Sequence, residues 1–259
     1  MAGTRQHNSL TRVETLLDPL LSRDPSGRLW LPALLAATPH GRAALGELVD
    51  EPGGLEIPLA VYGVNGRLAA FEYQVPPPRG LLAWFIEHPD ELAWPAHAQL
   101  SSEVTTLRRA MLNDDPPGSR ARAQDRARER LATAAPLLPD WWRFEDVTRP
   151  DAVLATDRLV VLVDGDDVPT QEPSACDDWY PSRSRLIRVL EAAKQLAHGR
   201  RWATLVLGAG QPFDDALDDR LETGAPHLSA AERDELRASY LGSLTFEQAA
   251  AVTHLDSGA

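Results

Sequence analysis

Between Arg149 and Asp166 the chain reads Arg-Pro-Asp-Ala-Val-Leu-Ala-Thr-Asp-Arg-Leu-Val-Val-Leu-Val-Asp-Gly-Asp, and this stretch limits the fold more than any other. Leu159 to Val163 is an unbroken apolar run, rich in valine and closed by Gly165, the pattern of a strand buried on both faces. Ala152 to Ala155 reads as a shorter strand ahead of it, with Thr156 and Asp157 supplying the turn. The two are expected to pair as a hairpin that brings Asp151 beside Asp164. Side chains alternate along a strand, so Asp166 is expected on the same side as Asp164, gathering three carboxylates at one rim. Such a rim could take a divalent cation. Equally, Asp and Gly end strands because they favour turns, and the run Asp164-Gly165-Asp166-Asp167 also reads as a solvated loop.

Pro150-Asp151 followed by Asp164-Gly165-Asp166 resembles the PD-(D/E)XK motif of the restriction-endonuclease-like superfamily. Downstream, Thr170, Glu172-Pro173, Trp179-Tyr180-Pro181, Arg183, Arg188 and Leu190-Glu191-Ala192-Ala193 are similar to an uncharacterised bacterial branch of it; the likeness covers roughly Trp141 to Gly208. The resemblance implies an α/β fold with an αβββαβ core, Asp151 and Asp164 as ligands of Mg²⁺ or Mn²⁺, and hydrolysis of phosphodiester bonds in nucleic acid. It also implies a catalytic place for Asp166, which stands where the superfamily has the lysine that positions and activates the attacking water. Exchanging Lys for Asp reverses the sign of one charge near the scissile phosphate. Arg185 stands where the branch has Gln, and Val189 where it has Asn. Lys194, the only lysine in the chain, lies farther along the following helix.

With 259 residues, 43% hydrophobic and 25% charged, the chain suits one large domain or two small ones. It has no apolar run of membrane length and no basic-then-apolar leader, so no membrane association and a cytoplasmic location are expected. The lone Cys176 excludes an internal disulfide framework, and the scattered histidines suggest no zinc site. A net charge of −12 argues against broad nucleic-acid binding, because phosphate affinity comes from Lys and Arg releasing counterions. The distribution softens that objection. Ser119 to Arg130 carries five arginines and Arg183 to Arg201 six basic residues, whereas Gly210 to Arg237 holds eight acids against three arginines. The nuclease-like part is thus the basic part of an acidic protein, and Arg183, Arg185 and Arg188 are its candidate contacts to a polyanion. Arginine-rich helices are also common as plain solvated faces.

Taken in order, the chain suggests a helix over Thr11 to Leu21 broken near Pro19, a turn at Asp24 to Gly27, and helices over Trp30 to Ala37 and Gly41 to Val49. Pro58 to Val64 and Arg67 to Gln74 flank Asn65-Gly66 as a hairpin. Helices over Gly80 to His88 and Ser101 to Leu112 precede Asn113 to Ser119, the best linker, so regions 1–118, 119–208 and 209–259 are distinguished. In the middle region come a helix over Arg120 to Ala134, a first strand at Trp141 to Phe144, the hairpin, a helix over Arg183 to His198 and a strand over Trp202 to Leu207. Glu129, a metal-ligand position in some relatives, falls opposite the Ala123 and Ala127 face and reads as solvated. The acidic tail suggests helices over Asp214 to Glu222, over Ser229 to Gly242 behind a capping box, and from Thr245 onward.

Two functions are compatible with these residues. One is a Mg²⁺- or Mn²⁺-dependent nuclease in which Asp166 joins the coordination sphere or tunes the bound water. The other is a nuclease-fold protein that has lost hydrolysis and keeps the scaffold to bind a nucleic acid or protein partner.

Overall fold

The computed structural model describes residues 3–56, 74–95, 100–133, 140–166, 179–208 and 216–253. At its centre β1 (Ala152–Ala155) and β2 (Leu159–Asp166) pair antiparallel, with Ala152 opposite Val163 and Ala155 opposite Val160. Thr156 fixes the turn between them. Its hydroxyl accepts from the amides of Arg158 and Leu159 and donates to the Pro52 carbonyl. β2 runs parallel to β3 (Arg201–Gly208), and β3 runs parallel to β4 (Tyr240–Thr245). The result is a four-stranded mixed sheet in the order β1, β2, β3, β4.

Helices cover both faces. α1 (Gly3–Arg23), α2 (Leu31–Ala37) and α3 (Gly41–Leu45), the last running on as a 3-10 turn over Gly46–Val49, lie on one face. There Val13, Leu17, Leu34 and Leu35 share a core with Leu159, Val161, Val163, Leu205 and Leu241. α4 (Arg79–Glu87), α5 (Ser102–Asn113) and α6 (Arg120–Thr133) gather around Trp141, Trp142, Phe144 and Trp179. On the second face of the sheet α7 (Arg185–Leu196) packs Val189, Ala192 and Ala193 against Val153, Val160 and Leu162. α8 (Leu217–Gly224) and α9 (Ala230–Ser239) follow, and α10 (Phe246–Thr253) comes after β4. Burying one Val or Leu contributes about 1.5–3 kcal/mol, against about 1 kcal/mol for a helix cap. Leu159 to Val163, all fully buried, therefore outweigh any single cap or turn.

α7 carries the chain from the end of β2 to the start of β3, the crossover that parallel neighbours require. It ends at Leu196, two residues short of the expected His198, and His198 and Gly199 then take the left-handed region at φ +47 and +87. Side-chain caps open three of the helices. Ser101 accepts from Val104 N–H, Ser229 and Glu232 form a reciprocal capping box, and Thr245 and Gln248 exchange backbone-to-side-chain bonds ahead of α10.

Three expectations are corrected. α1 runs through Pro19 without a break, its buried residues Val13, Leu17, Leu20 and Leu21 held against the core on either side of the proline. Trp141 to Phe144 is not a strand: Trp141 and Trp142, though adjacent, are both buried, and the carbonyls of Trp141 and Arg143 accept from the Arg108 guanidinium. The helix expected to reach Gly242 stops at Ser239. Tyr240 and the next residue, Leu241, then enter different cores on opposite sides of the sheet, which only extended backbone allows. Around the boundary expected after residue 118, Asn113 closes α5, Asp114 accepts from Gly118 and Arg120 N–H, and α1 to α3 share their core with β1 to β4. The hairpin expected around Asn65-Gly66 lies outside the described residues, as do Cys176, Asp214 and Asp215.

Candidate functional site

Register brings the two carboxylates together. Because Ala152 faces Val163, the next positions outward, Asp151 and Asp164, adjoin at the start of β1 and near the end of β2. Alternation puts both on the face of Val153, Val160 and Leu162, the face that α7 covers. The site thus lies at the carboxyl end of a parallel strand, where open α/β sheets leave a crevice.

The start of α7 completes it. The Ser184 side chain accepts from Ile187 N–H and caps the helix, so Arg185, its first residue, emerges over the carboxylates. Arg185 Nε donates to Asp164 Oδ2 at 2.8 Å and Nη2 to Asp164 Oδ1 at 2.6 Å. The same Nη2 lies 3.9 Å from Asp151 Oδ1 and donates to the Arg149 carbonyl at 3.1 Å. Asp151 Oδ2 accepts the Gly165 N–H at 2.7 Å. The Asp151 and Asp164 side chains are 4% and 5% exposed, and Arg185 is 29% exposed. A forked guanidinium-carboxylate pair is among the stronger hydrogen-bonded ion pairs, and a buried carboxylate without one is costly. Arg185 is therefore the counter-charge of this pair rather than a solvated surface residue.

Asp166 closes β2, and its side chain lies outside the described residues. The other two candidate arginines are also engaged. Arg183, 2% exposed, donates to Glu145 at 2.5 and 3.3 Å, closely to Glu191, and to the Gly224 carbonyl at 3.0 Å. Burial alone would lower its pKa, but Glu145 and Glu191 raise it above the usual arginine range. Burial would likewise raise the Glu191 carboxyl, yet Arg183 and His227 hold it below the usual carboxylate range. His227 Nε2 stands 2.8 Å from Glu191 Oε1, at hydrogen-bond distance but without hydrogen-bond alignment. Arg188 donates to the Asp146 carbonyl at 3.0 Å and lies 3.8 Å from Glu145. Of the three candidate arginines Arg183 is thus buried with its carboxylates, whereas Arg185 and Arg188 remain 29% and 17% exposed beside theirs. Lys194 pairs with Glu235 of α9.

Sequence reasoning missed Glu145 and His227, whose spacing to Arg183 and Glu191 follows no local period. It also missed that Arg185 would turn inward to Asp164, 21 positions away. Glu129 is exposed, in agreement with its solvated reading.

Fold and site together define a mixed α/β protein with a carboxylate pair at adjoining strand ends and an arginine laid across it. Neither a family model, nor a curated protein, nor a solved structure matches the chain. Among the described residues no group of three or more His, Cys, Asp and Glu side chains could hold a metal ion, and no helix is long and apolar enough to cross a membrane. The donor set does not fit Mg²⁺ or Mn²⁺ as it stands. Both Asp164 oxygens are committed to a cation of the chain's own, and the second ligand, Asp151, shares that cation.

Proposed function

We propose that this chain is a nuclease-fold protein of the PD-(D/E)XK type, with the αβββαβ core altered in its first strand, that has lost metal-dependent phosphodiester hydrolysis and serves to bind nucleic acid. The carrying observation is the fork from Arg185 to Asp164: the pair expected to hold the divalent ion holds a guanidinium. Asp166, in place of a water-activating lysine, works in the same direction by adding negative charge where the attacking water and the phosphate would need positive charge.

Nucleic acid is favoured over a protein partner by α6. Arg122, Arg126 and Arg130 recur every fourth residue, so they lie along one side of that helix, all exposed and in no ion pair among the described residues. Unlike the arginines of the 183–188 segment, they are available to a phosphate backbone.

The test is incubation of mixed DNA and RNA substrates with Mg²⁺ or Mn²⁺, using the native chain, Asp151→Ala and the double variant Arg185→Gln with Asp166→Lys, alongside fluorescence-anisotropy binding over a salt series. The native chain is expected to bind with an affinity that falls as salt rises, and to cleave nothing. Cleavage by the native chain that disappears in Asp151→Ala would establish a working nuclease instead. Absence of binding at low salt would remove the nucleic-acid reading.

A further inference from the structure

We infer that Arg185 is the resident cation of a latent divalent site: its guanidinium neutralises Asp151 and Asp164 and keeps them blind to metal, and a single substitution, Arg185→Gln, opens the pair to Mn²⁺. The inference takes from the proposed function only that these two carboxylates are the cation-binding pair. It does not depend on cleavage or on nucleic-acid binding.

The geometry carries it in three steps. First, Arg185 Nη2 touches Asp164 Oδ1 at 2.6 Å and stands 3.9 Å from Asp151 Oδ1, so one cationic nitrogen lies between the two carboxylates. A divalent ion bound to carboxylate oxygens sits at about 2.0–2.6 Å from them, in space this nitrogen and its neighbour Nε already use. Arginine and metal cannot be there together, because the lone pairs are the same and like charges repel strongly at a buried site. Second, the carboxylates are fixed by other means. Asp164 lies near the end of β2, in register with Val206 of β3, and Asp151 is tied to the Gly165 amide. Removing the guanidinium therefore leaves two adjacent carboxylates in place, with a mutual repulsion that a divalent ion relieves. Third, Arg185 is the exposed member of the group, at 29% against 4% and 5%. It caps the pair from the solvent side, so shortening it to a neutral glutamine opens an approach without cutting into the core.

The experiment measures Mn²⁺ bound per full-length chain from the loss of the free-ion electron paramagnetic resonance signal. Native protein, Arg185→Gln, Arg185→Lys and Arg185→Gln with Asp164→Asn are compared, each checked for native circular dichroism. Arg185→Gln is expected to bind Mn²⁺ about tenfold or more tightly than the native chain, and its melting temperature is expected to rise on adding Mn²⁺ while that of the native chain stays put. Arg185→Lys, which keeps the charge, stays blind to Mn²⁺, and Asp164→Asn removes the gain. Equal Mn²⁺ binding by the native chain and Arg185→Gln would overturn the inference. So would a folded Arg185→Gln that binds no Mn²⁺, or a gain that survives Asp164→Asn. Should Arg185→Gln not fold, Arg185→Ala replaces it under the same expectations, and failure of both to fold while Arg185→Lys folds would overturn the inference, because the carboxylate pair would then not persist without the guanidinium.

Discussion

Arg183 Nε donates to Glu145 Oε2 over 2.5 Å, and the two side chains, 38 positions apart in the chain, are 2% and 5% exposed. The same guanidinium serves Glu191 and the Gly224 carbonyl, so one residue ahead of α7 joins the segment before β1 to α7 and to the end of α8. Replacing Arg183 by Met strands two buried carboxylates. Breaking a buried ion pair from one side costs about 3–5 kcal/mol, and Arg183→Met is expected to lose that much in urea denaturation. Arg183→Lys should recover little, because an ammonium cannot present the planar fork. A loss below about 1 kcal/mol, the scale of an exposed ion pair, would mean that the cluster is not what holds these segments.

The same cluster sets an acid limit. The Glu191 carboxyl is held below its usual 4.5 because Arg183 and His227 outweigh the effect of burial. The unfolded chain thus binds this proton more readily than the folded one. The stabilisation is complete above pH 4.5 and is lost as the pH falls through the lower folded value. Thermal melts from neutral pH downward should show a decline beginning below that point. In Glu191→Gln the part of the decline due to this group should be missing.

Arg108 is held differently. Its Nε donates to the Trp141 carbonyl and its Nη2 to the Arg143 carbonyl, both at 2.7 Å, while the guanidinium lies 4.2 Å from the Trp179 ring centroid and 5.0 Å from that of Phe144. Burial lowers its pKa to about 10. Arg108→Met would keep much of the volume but leave two carbonyls without donors, at about 1–3 kcal/mol for each buried group left unsatisfied. A destabilisation of about 2–6 kcal/mol on that basis, with loss of near-ultraviolet circular dichroism from the tryptophans, is expected. Unchanged stability would show that water serves these carbonyls equally well.

Two glycines separate backbone strain from crowding. Gly199 at φ +87 faces open space, whereas at Gly242, φ +91, a Cβ would come within 2.8 Å of Pro39 Cγ. Alanine at either site adopts an unfavourable left-handed backbone, at about 1–2 kcal/mol. Gly242→Ala must in addition push β4 away from Pro39. It is therefore expected to be the more destabilising of the two in parallel denaturation curves, and equal losses would contradict the placement of β4 against the α2–α3 connection.

Much of the fold was legible because it is written in short-range patterns. The apolar run Leu159 to Val163, the turn residues Thr156 and Asp157, and the capping box at Ser229 each act within a few positions, and each appears as expected. Trp141 to Phe144 misled because a dense aromatic run looks like a strand, and only the cluster around Arg108 shows why its carbonyls are taken elsewhere. Tyr240 to Thr245 misled for the opposite reason. It follows a well-capped helix without a breaker, and its strand identity comes from β3 beside it.

The sequence by itself determined the α/β character, the hairpin of β1 and β2, and the adjacency of Asp151 and Asp164, because burial and side-chain alternation act locally and fix a register. Only the tertiary structure decided which cation those carboxylates meet, and that Arg183 is buried rather than presented. Those outcomes join residues 21 and 38 positions apart, and the energy of a charge depends on what the fold brings beside it and how far it excludes water, neither of which has a period in the chain.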